Sequence, residues 1–138
     1  MKKIILLLLL FFTACSVESK PNTIQGKVSL APNLANKIGP SDILYILAYP
    51  VSSSQNTSLG TPLAVRKIAP VIFPAKYEIS QEDIIFPEKK FVGLMNVIAR
   101  VHKNPESAPA QRGELEGFSK KNPVQPGSKN IDIILENP

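Results

Sequence analysis

The side chain with the clearest chemical role in this 138-residue sequence is the thiol of Cys15, close to the N-terminus. The sequence has one cysteine, which therefore cannot form an internal disulfide bond or a cysteine-based zinc cluster. Two lysines, an apolar run over residues 4–12 and the small pair Thr13–Ala14 precede it. A positively charged start, a short apolar run and small residues before a cleavage point are typical of a secretory signal peptide. The sequence therefore predicts that Cys15 lies at a processing site.

The position of Cys15 resembles the lipobox of bacterial lipoproteins, although Phe12 stands where leucine is usual. This resemblance implies cleavage between Ala14 and Cys15 and attachment of acyl chains such as palmitate to the new N-terminal cysteine. Each acyl CH₂ buried in a bilayer contributes about 0.8 kcal/mol, so that two or three chains hold a small domain on a membrane. The alternative is an ordinary secreted protein whose single cysteine falls at the cleavage site by coincidence.

The sequence divides into three parts. We predict a signal peptide over residues 1–14, an acylated cysteine with a short polar tether over 15–22, and one folded domain over 23–138. The apolar run is too short for a transmembrane helix, because its nine residues would span about 14 Å of a ~30 Å hydrocarbon core.

Cleavage leaves 14 basic and 11 acidic residues, a net charge of +3. Basic clusters are no longer than two lysines and have no interleaved aromatic residues, which argues against nucleic-acid binding.

Residues after the tether alternate between apolar and polar types in short runs, which is typical of half-buried β-strands. The 13 prolines, scattered through the chain, argue against long helices. Turn residues recur about every 8 to 12 positions, a spacing typical of an antiparallel sandwich or barrel. We therefore predict an all-β antiparallel sandwich of about seven short strands, with helical turns at 34–38 and 80–83 and strands at 24–30, 43–49, 63–68, 75–80, 91–103, 113–118 and 131–135.

Several short sequences give the chain a family resemblance, namely Gly26–Pro32, Pro62–Lys67, Val97–Val101, Gly113–Gly117 and Val124–Gly127. Their order and spacing resemble the C-terminal periplasmic Ig-like domain of the CcmI/CycH cytochrome c maturation proteins. The resemblance implies an Ig-like β-sandwich in the cell envelope, and with it a role in c-type cytochrome assembly. Full-length members also carry transmembrane helices and a helical repeat region that captures apocytochrome, and this sequence shows neither.

His102 is the only imidazole, and it lies beside Lys103 on the strand face that carries Arg100. Because no cysteine, aspartate or glutamate stands at ligand spacing, we expect it to face solvent rather than bind a metal or haem. Glu114 and Glu116 share one strand face, where paired carboxylates could serve acid–base chemistry or bind calcium. The glycines that flank them favour a turn-and-strand signature instead. We expect no metal, no cofactor and no catalytic residues.

Two arginines and one apolar stretch are the candidates for interactions. Arg66 and Arg100 are expected to pair with Glu78 or Glu116 on the sheet surface, or else to meet an acidic patch of a partner. The apolar residues of 84–92 are expected either to form an exposed patch for a partner or to plug the end of the sandwich. Since the sequence has no Gly-x-Ser-x-Gly elbow, we expect no enzyme activity.

Together these features predict a lipid-anchored, non-catalytic binding module that faces the periplasm from a membrane of the cell envelope. Ser16 stands where an aspartate would retain a lipoprotein in the inner membrane, which favours the outer membrane. The expected partners are the membrane, through acylated Cys15, and a protein, which the resemblance implies to be a cytochrome c assembly component. The alternative is a structural or surface-interaction lipoprotein with no cytochrome role.

The substitution Cys15→Ser tests the lipid anchor. We expect the variant to remain uncleaved and to lose labelling by radioactive palmitate, because serine offers no thiol for acyl transfer. Labelling is measured in cells, together with the difference in gel mobility between precursor and mature chain, and the unaltered chain in the same cells is the control. Unchanged processing of the variant would contradict the lipobox prediction.

Overall fold

The computed structural model describes residues 22–51, 60–103 and 114–137. These residues form seven β-strands and two short 3₁₀ turns, at Pro32–Lys37 and Gln81–Asp83, where the sequence predicts helical turns. The all-β prediction is confirmed, and the strands are β1 (Ile24–Leu30), β2 (Ile43–Pro50), β3 (Ala64–Ile68), β4 (Ala75–Ile79), β5 (Met95–His102), β6 (Glu116–Phe118) and β7 (Ile133–Leu135).

Some of the predictions concern parts of the chain outside these ranges. The signal peptide, Ala14, Cys15 and nearly all of the tether lie outside the described residues, as do the loops at 52–59 and 104–113. What the sequence predicts for them therefore stays a prediction. Among the described residues, none of the helical segments is long and apolar enough to cross a membrane.

The strands form two sheets that pack face to face. One sheet has the order β4-β1-β7 and the other the order β3-β2-β5-β6. Every pairing is antiparallel except that of β1 with β7, where Val28 lies opposite Ile133 and Leu30 opposite Leu135 in parallel register. Alternation along a strand carries no information about its direction, so this pair could not be read from the pattern. The architecture is an Ig-like β-sandwich, as predicted.

The core lies between the sheets and follows the period-two alternation of the strands. In β5, Val97, Ala99 and Val101 are fully buried in it. The alternate residues of β2 and β5 lie on the other face of the four-stranded sheet, where Leu47 and Ile98 belong to a second, smaller cluster of buried side chains. Strand β2 is therefore buried on both faces, which explains its nearly unbroken apolar sequence.

Strand β7 closes one side of the sandwich because it meets both sheets. Along one edge it pairs with β1, and along the other edge isolated bridges join Ile133 to Ser119 and Glu136 to Glu116. The backbones of Glu116 and Glu136 exchange two hydrogen bonds, of 3.2 and 3.0 Å. On the opposite side, β3 and β4 are the outermost strands of the two sheets in the part of the chain that the structure describes.

Two glycines allow residues 131–136, which we call the last segment, to approach both sheets. A Cβ on Gly26 in β1 would overlap the carbonyl oxygen of Ile131, and a Cβ on Gly117 in β6 would overlap that of Ile134. Interiors are close-packed, so any larger residue would have to push the last segment away. The closure of the sandwich therefore depends on glycine at both positions.

Tyr77 in β4 holds the same segment from inside the core. It lies opposite Gly26 in the sheet, and its hydroxyl donates a 2.5 Å hydrogen bond to the carbonyl oxygen of Ile131 on the far side of β1. Burial, and secondarily the charge of Asp132, raises the pKa of the Tyr77 phenol above its ordinary value. The phenol therefore stays protonated, which is the form that donates this bond.

We predict that Tyr77→Phe lowers the free energy of unfolding by about 1–3 kcal/mol at neutral pH, because the buried carbonyl oxygen of Ile131 loses its donor. The unaltered chain should also lose stability as the pH rises above about 10. The Tyr77 phenol ionises at a lower pH in the unfolded chain than in the folded chain, so above that pH the folded chain binds more protons and loses stability as protons become scarcer. Below about pH 10 the Tyr77 phenol is protonated in both states, and its hydrogen bond contributes fully to the free energy of unfolding. Urea unfolding at about pH 8 and about pH 11 measures both effects.

The matched control is Tyr49→Phe, because Tyr49 is also buried but belongs to the second cluster. This control keeps the Tyr77 phenol, so it should show the same alkaline loss of stability as the unaltered chain. In Tyr77→Phe that loss should be smaller. Equal alkaline losses in the two variants would contradict the role assigned to Tyr77.

Candidate functional site

One ion pair and one histidine–carboxylate contact lie side by side on the outer face of the four-stranded sheet. Arg100 and His102 alternate in β5 with the core residues, so their side chains lie on the opposite face. Nε and Nη2 of Arg100 both lie 2.7 Å from Oε2 of Glu116, which confirms this predicted pairing. Nδ1 of His102 lies 3.3 Å from Oε1 of Glu114. We call these four residues the polar row.

The expectation that His102 faces solvent is wrong. Only 14% of its side chain is exposed, because Glu114 contacts the ring on one side and Tyr45 meets it edge to face, with centroids 4.8 Å apart. Tyr45 comes from β2, so its contact with the ring depends on strand order rather than on local sequence. The Glu114 side chain is 6% exposed, and its Oε2 has no hydrogen-bond partner in the part of the chain that the structure describes.

The polar row does not form a metal centre with other described residues. Across residues 22–51, 60–103 and 114–137, no group of three or more histidine, cysteine, aspartate or glutamate side chains comes together. Glu114 and Glu116 share one face, as predicted, but each contacts a different basic side chain. The two carboxylates therefore act separately, each as the partner of one base, and do not form an acid–base pair.

Arg66 in β3 has a different partner from those predicted. Its guanidinium forms an ion pair with Asp83, in which Nη2 donates to Oδ2 at 3.1 Å. Asp83 ends the 3₁₀ turn that the sequence predicts, and its carboxylate also accepts the backbone N–H of Ser80 at 2.9 Å in a capping box. The capped turn thus supplies the carboxylate, in place of the expected Glu78 or Glu116.

A groove of about 630 Å³ runs along the seam where β6 meets β7. Phe118 and Ile134 line its middle and are 54% and 49% exposed. The Lys120–Lys121 pair lines one end of the groove, and Glu116 and Glu136, which bridge β6 to the last segment, line the other. Asp132 also lines the lysine end, and Glu116 is paired with Arg100, so the groove combines an exposed apolar centre with two lysines and one aspartate at one end and two glutamates at the other.

Sequence reasoning missed this groove because its two apolar residues meet only through the register of β6 and the last segment. The signal in the sequence is Ile134, an apolar residue between the polar positions Asp132 and Glu136. Alternation places Ile134 on the solvent face of its strand. An apolar side chain at such a position does not pack in the core and therefore suggests a contact at the surface. Its neighbour Phe118 lies 16 positions earlier in the chain, so alternation alone does not bring the two together.

The stretch 84–92, which the sequence singles out instead, is divided between the two expected alternatives. Phe91 is 2% exposed in the core, and Ile84 packs against the core. Ile85 and Val92 are 46% and 66% exposed. The same stretch therefore plugs the end of the sandwich with some side chains and presents others at the surface.

The sheet order and the parallel pairing of the first and last strands define an Ig-like sandwich domain. The chain belongs to the cytochrome c-type biogenesis protein H Ig-like domain family, whose model matches residues 24–136. It is also similar to an "Uncharacterized protein" of Aquifex aeolicus (strain VF5), with 28% identity over 116 residues that cover 84% of this chain and 71% of that protein. No solved structure matches the chain.

We predict that Gly117→Ala lowers the free energy of unfolding by about 1–3 kcal/mol, because the added methyl group overpacks the seam that forms the groove. Besides the clash with the Ile134 carbonyl, the new Cβ would lie 2.8 Å from Cγ2 of Ile133. Gly39→Ala is the matched control, since the nearest atoms to its Cβ belong to Asp42 at 3.9 Å. Urea unfolding of both variants measures the difference, and equal stabilities would contradict the close approach at Gly117.

Proposed function

We propose that this protein is a lipid-anchored, non-catalytic binding module of the cell envelope, whose groove between β6 and β7 holds a segment of a protein partner in c-type cytochrome assembly. The observation that carries the proposal is the exposed apolar pair Phe118 and Ile134 in a domain of a cytochrome c-type biogenesis family. Contiguous exposed apolar surface with a polar rim is typical of interaction sites. Cytochrome assembly involves an apoprotein and other assembly proteins, so a polypeptide is the partner that suits this family.

The charges around the groove favour a polypeptide over other ligands. The Lys120–Lys121 pair outnumbers Asp132 at one end of the groove, and Glu136 lies at the other end; a hydrogen bond of 2.9 Å from Lys121 Nζ to the carbonyl oxygen of Asn130 fixes one of the ammonium groups. A nucleic acid would require a surface of one positive sign. The complementary ligand is a segment with an apolar side chain between an acidic and a basic residue.

The partner would be recognised by its side chains rather than by strand addition. The backbones of β6 and the last segment already form hydrogen bonds to each other through Glu116 and Glu136. These backbone groups are therefore not free to pair with an added strand at the seam. Affinity would then come from covering Phe118 and Ile134, at about 25 cal/mol for each Å² of apolar surface removed from water. The seam also holds the two walls at a fixed spacing, which lowers the entropic cost of binding.

The anchor and the compartment in this proposal derive from the sequence around Cys15. Acylation of Cys15 after cleavage behind Ala14 would hold the domain on the periplasmic face of a membrane, and Ser16 favours the outer membrane. A c-type cytochrome partner would be met in the same compartment. The anchor would also confine the groove to the membrane surface, where assembly proteins that are themselves membrane-bound lie.

The polar row supports a non-catalytic role. Arg100 is engaged with Glu116, and His102 with Glu114 and Tyr45, on the outer face of the sheet. Catalysis requires a nucleophile or a general base that is free to meet a substrate. The row is instead built as a structural cross-link between β5 and the segment that contains β6.

The substitution Phe118→Asp tests the groove. We expect it to lower the level of c-type cytochromes several-fold, toward that of a deletion strain, because a carboxylate at the centre of the groove opposes burial by a partner. Ile72→Asp is the matched control, since Ile72 is 80% exposed but lies in the loop between β3 and β4. Haem staining of membrane fractions measures the cytochromes, and immunoblotting checks that both variants accumulate equally.

Cross-linking in cells identifies the partner directly. A photo-reactive residue at position 118 should capture a protein of cytochrome assembly, whereas one at position 72 should not. Equal effects of the two aspartate substitutions would contradict the groove as the binding site. Normal c-type cytochrome levels in a deletion strain would contradict the cytochrome role and favour a structural or surface-interaction lipoprotein.

A further inference from the structure

The end of the sandwich where the chain enters β1 carries four exposed apolar side chains. At this end β1 and β5 begin and β2 and β4 end, since Ile24 lies opposite Ile79 and Met95 opposite Pro50. We call it the tether end. The exposed fractions there are 45% for Val51, 46% for Ile85, 66% for Val92 and 45% for Leu94.

The loop that precedes β5 carries two of these side chains, Val92 and Leu94, and is held by specific contacts. Phe91, which is 2% exposed, anchors the loop in the core. The side-chain amide of Gln81 accepts the backbone N–H of Phe91 at 2.7 Å and donates to the carbonyl oxygen of Lys89 at 3.1 Å. Gly93, with a φ of 86°, turns the chain between Val92 and Leu94, and both flanking side chains are exposed. The apolar surface is therefore held in place by specific contacts.

Basic side chains lie at the same end of the sandwich as this apolar surface. The Lys89–Lys90 pair belongs to the same loop, and the Lys120–Lys121 pair lies in the turn that follows β6 at this end. Glu82 and Glu88 are exposed there as well, so that the four lysines outnumber the two glutamates. Apolar side chains among an excess of ammonium groups match the surface of a bilayer, which offers acyl chains beneath anionic phosphates.

The position of the anchor determines what this surface meets. A 3.0 Å hydrogen bond from the Gly127 N–H to the carbonyl oxygen of Thr23 holds the start of the domain at the tether end. The seven residues from Ser16 to Asn22 span at most about 25 Å when fully extended. We propose that the tether end docks on the bilayer that holds the lipid anchor, with Val92 and Leu94 at the level of the headgroups. This inference rests on the lipid anchor of the proposed function.

Docking through the tether end would leave the centre of the groove accessible, while its Lys120–Lys121 end would lie near the headgroups. Phe118 and Ile134 lie along the side of the sandwich, where β6 meets the last segment, and not across its end. Ile72 lies at the opposite end, between the end of β3 and the start of β4. The domain would thus stand on the membrane with its groove facing sideways and its 69–74 loop at the end away from the lipid.

A fluorophore at position 92 tests docking in the full-length, lipidated protein. The substitution Val92→Cys is labelled with nitrobenzoxadiazole, and because acylated Cys15 has no free thiol, the label attaches only to the new cysteine. The protein is reconstituted with vesicles of phosphatidylethanolamine and phosphatidylglycerol that contain doxyl lipid as a quencher. We expect a blue-shifted emission that doxyl lipid quenches at least about twofold, because the label lies at headgroup level. The control label at Ile72→Cys should stay in water.

Leu94→Cys provides a second labelling position and should behave like Val92→Cys. Vesicle flotation reports the lipid anchor separately. Protein that floats while its labels at 92 and 94 stay in water would overturn the docking inference alone. Protein that does not float would contradict the anchor, and the docking inference with it. A label that is shielded but not quenched by doxyl lipid would indicate contact between copies of the chain and would also overturn docking.

Discussion

The sandwich depends on one close approach, in which the last segment pairs with β1 of one sheet and contacts β6 of the other at positions where both strands carry glycine. Gly26 and Gly117 leave the space for the backbone of Ile131 and Ile134, and Tyr77 donates a hydrogen bond to the first of these from inside the core. Repulsion rises steeply at such distances, so the constraint is stricter than any ion pair on the surface. The parallel pair of β1 and β7, the bridges to β6 and the groove all follow from it.

The polar row contributes more to the choice of strand register than to the free energy of folding. An exposed or half-exposed ion pair such as Arg100–Glu116 contributes only about 0–1 kcal/mol. It lies between β5 and β6, where a slip of one residue would turn the guanidinium toward the core and expose Ala99 or Val101 to water. The pair therefore excludes wrong registers, while the buried face of the same strand supplies most of the free energy of folding.

The sequence predicts the strands well because the burial of one face imposes alternation on each of them. It also predicts the capped turn at Ser80 and the Ig-like family, since both depend on local sequence. The contacts of the candidate site are different, because they join residues that only strand order brings together. Tyr45 covers His102 from another strand, and Phe118 meets Ile134 through a register that exists only in the folded chain. Alternation tells which face a side chain occupies, but not what lies beside it.

The parallel pairing of the first and last strands also gives the domain a mechanical direction. The chain enters β1 at one end of the sandwich and leaves β7 at the other. A force between Ile24 and Leu135 would therefore pull two neighbouring strands past each other. Their hydrogen bonds would bear that force together, in shear, instead of opening one after another as in a hairpin pulled from its two free ends. The parallel pair thus loads its hydrogen bonds in shear when the domain is pulled by its first strand against its last.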